Sequence, residues 1–308
     1  MSGSLAYDSI MDFPGSFADH ILPEAIHNLN LSFTLSDLKT SFGGTAGNIA
    51  YNLSLLNEQP TILGVVGSDF APYEVWLKKN KIDTSRLGRD MKSKTAAANI
   101  MTDRHDNQIT GFYPGPLLSG YVSQAEKMKN ISLAIISPEH KSRMLSYAKI
   151  YRHNNIPFIF DPGQMVPAFS TVELRQAIKG AKVLIGNDYE IKLIVDKLKI
   201  KFEALLKMAE LVIITRGEKG SEIYRGMEKI TIKPAKPKNA SDPTGAGDAY
   251  RAGLIKGLIM GYNLKTCGQL AGLVSVYTVE KFGTQTHRFT ISELKKRYQE
   301  NFKEKLDI

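Results

Sequence analysis

From residue 131 onward, apolar runs of strand length alternate with stretches whose apolar residues recur three and four positions apart. The runs at 131–137, 156–161 and 182–186 are separated by helical patterns at 141–153 and 171–180. That order predicts a parallel sheet with helices on both faces. A further strand is predicted at 211–215. The chain turns back after 216–220 into 221–224 and continues at 229–233, and from there only helical patterns follow, at 247–261, 263–281 and 291–305.

The first third reads differently. Residues 3–8 predict a short buried strand ending in an acid, 61–67 a buried strand, and 71–81 a helix. Ile49, Leu53 and Leu56 mark another helix. Residues 10–38 show Pro14, Gly15 and Pro23, short apolar pieces and no long helical period, which predicts short strands and loops outside the main sheet. The segments 97–102 and 108–113 flank the turn 103–107 in the pattern of a β-hairpin. These two β-type excursions, about 10–38 and 95–115, would join into one small sheet and form a lid. With no internal repeat and no low-complexity linker, residues 1–308 are expected to be a single α/β domain.

Composition narrows the class. The chain has 308 residues, 43% hydrophobic and 23% charged, which suits a large globular core. No stretch approaches the ~18 apolar residues of a membrane span, so a cytoplasmic protein without a membrane partner is expected. Cys267 is the only cysteine, which excludes an internal disulfide and a cysteine metal cluster. The net charge of +9 raises a nucleic-acid partner. Much of it lies along helices or in a tail where acids are interspersed, and there is no Cys/His finger and no dense basic block. The expectation is therefore no nucleic acid, and a field that suits a polyphosphate ligand.

Candidate chemistry concentrates in Ser241-Asp242-Pro243-Thr244-Gly245-Ala246-Gly247-Asp248, directly before a helical run. Gly245, Ala246 and Gly247 at a helix start would gather backbone N–H groups at the positive end of the dipole, a site for an anion. Asp248 does not serve an anion. A carboxylate there could take a proton from an attacking hydroxyl while the backbone donors hold phosphoryl oxygens. A capped helix after a Pro-Thr-Gly turn is the alternative.

Other stretches carry two readings each. Asp8 ends a predicted strand, where a substrate of an open α/β sheet would lie, or it opens a turn. Gly43 and Gly44 would let backbone approach a ligand, and Asn48 can donate to and accept from a vicinal diol; a plain loop-to-helix junction fits equally. Asn187 and Glu190 form a capping box or serve magnesium-bound phosphate water. Thr215, Gly217 and Gly220 shape a hairpin turn or wrap a nucleotide. A P-loop, a dinucleotide fingerprint, the protein-kinase signatures, a nucleophile elbow and a histidine zinc pair are all absent from the sequence.

Asp242-Pro243-Thr244-Gly245-Ala246-Gly247-Asp248 resembles the C-terminal signature of the ribokinase-like (PfkB) small-molecule kinases, and Gly43-Gly44 with Asn48 resembles their N-terminal one. Asn187-x-x-Glu190 and Thr215-x-Gly217-x-x-Gly220 are similar to the two intermediate motifs, in order. The resemblance implies a ribokinase-like central, mostly parallel sheet flanked by helices, with a small β-sheet lid. It implies Asp248 as base, Gly245, Ala246 and Gly247 as anion hole, and Asp8, Gly43, Gly44 and Asn48 on the sugar. Asn187, Thr215, Gly217, Gly220 and Gly283 would border ATP, with adenine near 274–283, and Glu190 would serve Mg2+ through water. Several members bind a monovalent cation such as K+ near the equivalents of Asp242 and Thr244.

Within the family the chain looks most like the prokaryotic adenosine or nucleoside kinases, through residues 3–8, His20-Ile21-Leu22-Pro23, Asp161-Pro162-Gly163-Gln164, 248–253 and Phe282-Gly283-Thr284-Gln285. Thr45 stands where ribokinases carry a basic residue. Phe112 or Tyr113 would stack on a base, or both belong to an ordinary hairpin core. The implied reaction transfers the γ-phosphoryl of ATP to the 5′-hydroxyl of adenosine or a related nucleoside. A sugar kinase is the alternative, with Lys92, Lys94 and Arg104 as the basic residues for a sugar phosphate. A nucleic-acid-binding protein on a kinase fold is the distant one. A monomer and a lid-mediated homodimer are both compatible.

Overall fold

The structure is a computed structural model that describes residues 1–21, 30–105, 107–119, 125, 128 and 130–308. The stretch 22–29 of the first β-type excursion, with Leu22 and Pro23, and Asp106 in the hairpin turn lie outside the described residues.

The main layer is a six-stranded sheet in the order β12-β11-β10-β9-β8-β7. It comprises β7 (Ala134–Ile136), β8 (Phe158–Phe160), β9 (Val183–Asn187), β10 (Leu211–Thr215), β11 (Ser221–Arg225) and β12 (Glu228–Ile232). β7 to β10 are parallel and β11 and β12 run antiparallel. Successive side chains alternate between two cores. Phe158, Phe160, Leu184, Val212 and Ile214 pack on one face, against α3 (Lys141–His153), α4 (Thr171–Ile178) and α5 (Asp188–Leu198). Ile159, Val183, Ile185, Leu211 and Ile213 pack on the other, against α1 (Thr45–Leu55), α7 (Ala246–Ile259) and α8 (Leu264–Val279). Burial on both faces is why these strands read as unbroken apolar runs.

The expected strand at 3–8 divides between two sheets. Ser2 bridges Leu63 and Ile136 and so extends the main layer. The chain then crosses into β1 (Ala6–Asp12), which pairs with β2 (Asp37–Gly43) and β5 (Ala96–Thr102). With β6 (Gln108–Tyr113) they form a sheet in the order β2-β1-β5-β6. Asp8 is thus a mid-strand residue of the small sheet and does not end a main-sheet strand. The sheet takes in residues 6–12 and 37–43, beyond both ends of the 10–38 segment. Apolar patterning gives no sign of this crossing, because Leu5, Ala6 and Tyr7 are a continuous apolar run whichever sheet they join.

The run at 61–67 contributes a short β3 (Val65–Gly67), which pairs with β4 (Gly88–Asp90). β4 and the short α6 (Phe202–Leu205) carry no sequence pattern of their own. The helix at 71–81 is α2 (Ala71–Lys79), and α9 (Ile291–Phe302) stops before 305, where Lys303 turns left-handed with φ 60°.

α7 carries the candidate stretch. Residues 249–257 of this helix are all buried, because it lies between the sheet, α1 and α8. Close approach of α8 is possible through glycine: a Cβ on Gly253 would lie 2.7 Å from Ala271 Cα, and one on Gly257 3.0 Å from Cys267 Cα. Gly253→Val is therefore expected to lower stability by ~2–3 kcal/mol, overpacking outweighing any gain in helix propensity. An unchanged urea unfolding midpoint would show that the α7–α8 contact yields.

Candidate active site

α7 begins without a side-chain cap. Gly245 holds the N-cap position at φ 78°, ψ −2°, a conformation that favours glycine, and a Cβ there would meet Thr284 Cγ2 at 2.9 Å. The first-turn N–H groups therefore have no side-chain acceptor and lie at the positive end of the helix. Ala246 departs from the expected anion hole: its N–H donates to Pro243 O at 3.1 Å. The turn that sets up the helix consumes that donor, which leaves the backbone N–H groups of Gly245, Gly247 and Asp248 at the groove.

Asp248 sits in the first turn. Asn48 Nδ2 donates to its Oδ2 at 2.8 Å. Burial pushes the carboxyl up to about 7, against the opposing effects of the Asn48 bond and the Arg251 charge; Asp161 and Asp8 push it further up. Arg251, one helical turn on, is buried, and its Nε and Nη2 donate to Asp161 at 2.7 and 2.9 Å. Its Nη1 donates to Gly247 O at 3.1 Å. A cation thus lies directly beneath the helix start, held by three hydrogen bonds, two of them to a carboxylate that offsets its burial.

Asp8 faces this helix from the small sheet. Its carboxylate occupies the space a side chain at position 43 would take, since a Cβ on Gly43 would lie 2.2 Å from Asp8 Oδ2. Burial and then the charge of Asp242 raise its pKa to about 6. Gly44 has φ 85°, and a Cβ there would meet Ser4 O at 2.6 Å. Ser4 Oγ then accepts the Thr45 N–H at 3.1 Å and starts α1, which delivers Asn48 one turn later.

The other wall is built from strand ends. A groove of about 380 Å3 is lined by Thr45, Pro138, Asp161, Gly163, Gln164, Asn187, Glu190, Thr215, Gly217, Gly245, Gly247, Asp248 and Arg251. Asn187 and Glu190 do form a capping box, each accepting the other's backbone N–H at 2.8 Å. Glu190 Oε2 is committed to that bond, and the carboxylate still lines the groove; burial raises its pKa. Gly217 has φ 54° with open space around it. Gly220 is elsewhere, its Cα against β12, where a Cβ would lie 2.1 Å from Ile232 O. It shapes the turn.

Several expected residues serve local structure. Asp242 accepts the Thr244 N–H at 2.9 Å on one oxygen and the Gly283 N–H at 3.0 Å on the other, tying the loop after α8 to the start of α7. Thr244 is exposed and Gly283 does not line the groove. Val274 is fully buried between α8 and α9, which takes it out of an adenine pocket. Phe112 is 56% exposed and lies in register with Ala98 and Asp8, so it shares their face of the small sheet; Tyr113 falls on the opposite face. Lys92 and Lys94 do not line the groove, and Arg104 pairs with Asp19 at 3.5 Å. Among the described residues no three His, Cys, Asp or Glu side chains converge on one metal position.

Sequence reasoning assigned no role to Arg251, Asp161, Tyr73, Trp76 or Gln285. Gln285 Nε2 donates to Asn48 Oδ1 at 3.1 Å and to the Tyr73 hydroxyl at 2.6 Å. Arg251, Asp161 and Gln285 lie in stretches that carried the resemblance, which was their only signal.

The model of the pfkB family carbohydrate kinases matches residues 5–290. A nucleoside kinase of Methanocaldococcus jannaschii is 32% identical over 274 residues, covering 88% of this chain and 90% of that protein. The Burkholderia thailandensis nucleoside kinase in complex with inosine superposes with a TM-score of 0.88 at 36% identity, covering 99% of this chain and 98% of that one. The same kinase in complex with ADP-inosine gives 0.86 at 37% identity, covering 99% and 96%. With four motifs in order, the fold they imply and a family model spanning nearly the whole chain, this protein belongs to the pfkB family of carbohydrate kinases.

Proposed function

We propose that this chain is an ATP-dependent nucleoside kinase that phosphorylates the 5′-hydroxyl of a purine nucleoside, with Asp248 as the general base. The observation that supports it most is a carboxylate at the uncapped start of α7, hydrogen-bonded by Asn48 and faced by Asp8. The similarity to a kinase solved both with inosine and with ADP-inosine points to a nucleoside over a free sugar. So does Thr45, whose hydroxyl is engaged with Ser137 Oγ at 3.0 Å where a ribokinase-type basic residue would stand.

In this scheme Asp8 holds the ribose hydroxyls together with the Asn48 Nδ2 hydrogen not given to Asp248, and the Gly43–Gly44 backbone lets the sugar approach. Phe112 stacks on the base from the small sheet, which acts as a lid and excludes water. Asp248 takes the proton of the 5′-hydroxyl as the oxygen attacks the γ-phosphorus, and ADP leaves. The N–H groups of Gly245 and Gly247 hold the phosphoryl oxygens, with the charge of Arg251 behind them. Asn187, Thr215 and Gly217 border the nucleotide.

Glu190 fits a magnesium site, being the one groove carboxylate near the strand ends that Arg251 does not pair, and Mg2+ keeps most of its ligands as water and phosphate. Bound there, Mg2+ would neutralise charge on the transferring phosphates. A K+ ion would draw on the lone pairs Asp242 keeps beyond its two N–H bonds. Purine salvage and a cytoplasmic location accord with this chemistry; no helix among the described residues is long and apolar enough to cross a membrane. The lid face turned away from Asp8 exposes Leu38, Ile109 and Tyr113, the surface a lid-mediated dimer would use, while the rest of the scheme works in a monomer.

Coupled ADP release measured with adenosine, inosine, ribose and fructose 6-phosphate is expected to favour a nucleoside by at least an order of magnitude in kcat/KM; a preference for ribose or the sugar phosphate would replace the proposal with a sugar kinase. Asp248→Asn should lower kcat by ~100-fold or more with nucleoside affinity kept, and turnover near wild type would remove Asp248 as base. Because the base acts ionised and its pKa lies at about 7, kcat/KM should fall as pH drops through that value. A profile flat from pH 8 to 5.5 would contradict it.

A further inference from the structure

The hydrogen bonds around Asn48 have a direction, and it is set from outside the groove. The indole N–H of Trp76, on α2, can only donate. It donates to Gln285 Oε1 at 2.9 Å. Gln285 must then turn its amino group inward, where Nε2 reaches Asn48 Oδ1 at 3.1 Å and the Tyr73 hydroxyl at 2.6 Å. Tyr73 in turn donates to Gly43 O at 2.9 Å. With Oδ1 occupied by a donor, Asn48 presents its own amino group to Asp248 Oδ2 at 2.8 Å. A flipped Asn48 would set carbonyl oxygen against carboxylate and amino group against amino group. Gln285 and Tyr73 are buried, so water does not readily replace a mismatched partner.

We propose that Trp76 and Gln285, neither of which lines the groove, are positioning residues for phosphoryl transfer: they lock the Asn48 amide in the one orientation that supports an ionised Asp248. The inference rests on Asp248 being the base. Its charged neighbours are Arg251 on α7, Asp161 after β8 and Asp8 on β1, with the Tyr73 hydroxyl close by. None of these changes when Trp76 loses its N–H. The ring of Trp76 also packs, with centroids 5.9 Å from both Tyr51 and Phe42, and phenylalanine keeps much of that contact.

The test is the pH profile of kcat/KM for Trp76→Phe and Gln285→Glu in the full chain, with unfolding midpoints measured alongside. In Trp76→Phe the unlocked amide can turn and accept a hydrogen bond from protonated Asp248. The acid limb should move to higher pH by about half to one unit, a loss of roughly three- to tenfold at pH 6, with the rate at pH 9 within about twofold of wild type. Gln285→Glu keeps the Trp76 bond and, as the carboxylate, offers Asn48 only acceptors and adds a negative charge nearby, so its limb should shift further in the same direction. If Trp76→Phe fails to fold, Gln285→Glu alone decides. A loss by the same factor at every pH, or an unmoved limb in a folded variant, overturns the proposal. Should Asp248→Asn turn over normally, the base assignment falls; should it be inactive while the limb stays put, only the lock falls.

Discussion

A carboxylate partly removed from water must be given partners or it takes up a proton, and Asp248, half-buried at the groove, illustrates both pressures. Burial drives its pKa up, while the Asn48 bond and the Arg251 charge hold it down. On the proposed reading, a balance near neutrality would suit a base that takes a proton from an alcohol and returns it to solvent. Asn48 is 200 residues away in sequence, so that balance exists only when α1 and α7 are packed together on one face of the sheet. Both helices, the sheet and the loop carrying Gln285 together bring that amide to that carboxylate.

The helix that carries Asp248 gives up local stability to reach its place. Gly253 and Gly257 are poor helix residues, and Gly245 leaves the N-terminus without a cap. What holds α7 is burial along residues 249–257 and the bidentate Arg251–Asp161 pair. By contrast α4, α5 and α9 each carry a capping box, and each shows the amphipathic pattern of a helix with one solvated face. Local sequence rules are obeyed at the periphery and set aside where α7 meets the groove. Glu190 shows that the two uses need not exclude each other, since its capping bond fixes one carboxylate oxygen and orients the residue at the groove edge.

Much of this was legible in the sequence. The helix–strand alternation after residue 131, the hairpin at 97–113, and the place of Asp248 at a helix start follow from hydrophobic period and glycine placement, which are properties of neighbouring residues. The capping box at Asn187 and Glu190 was legible for the same reason. Gly220 was ambiguous because a glycine demanded by a turn and a glycine demanded by a ligand look alike in one chain. The bond from the Ala246 N–H to the Pro243 carbonyl is not legible in sequence, because it depends on the turn's geometry. Asp8 was put at the end of the wrong sheet's strand, since strand pairing depends on partners at 43 and 98 that local pattern cannot name.

The sequence by itself determined the fold class, the motif order and the chemistry available at the helix start, because periodicity, glycine conformation and side-chain type act over a few residues. Only the tertiary structure decided which of those groups meet. It placed Asp8 against Gly43, set Arg251 on Asp161, and linked Trp76 through Gln285 to Asn48. These contacts span 35 to more than 200 positions, and hydrogen-bond direction, burial and pKa arise only once such distant groups share the same desolvated space.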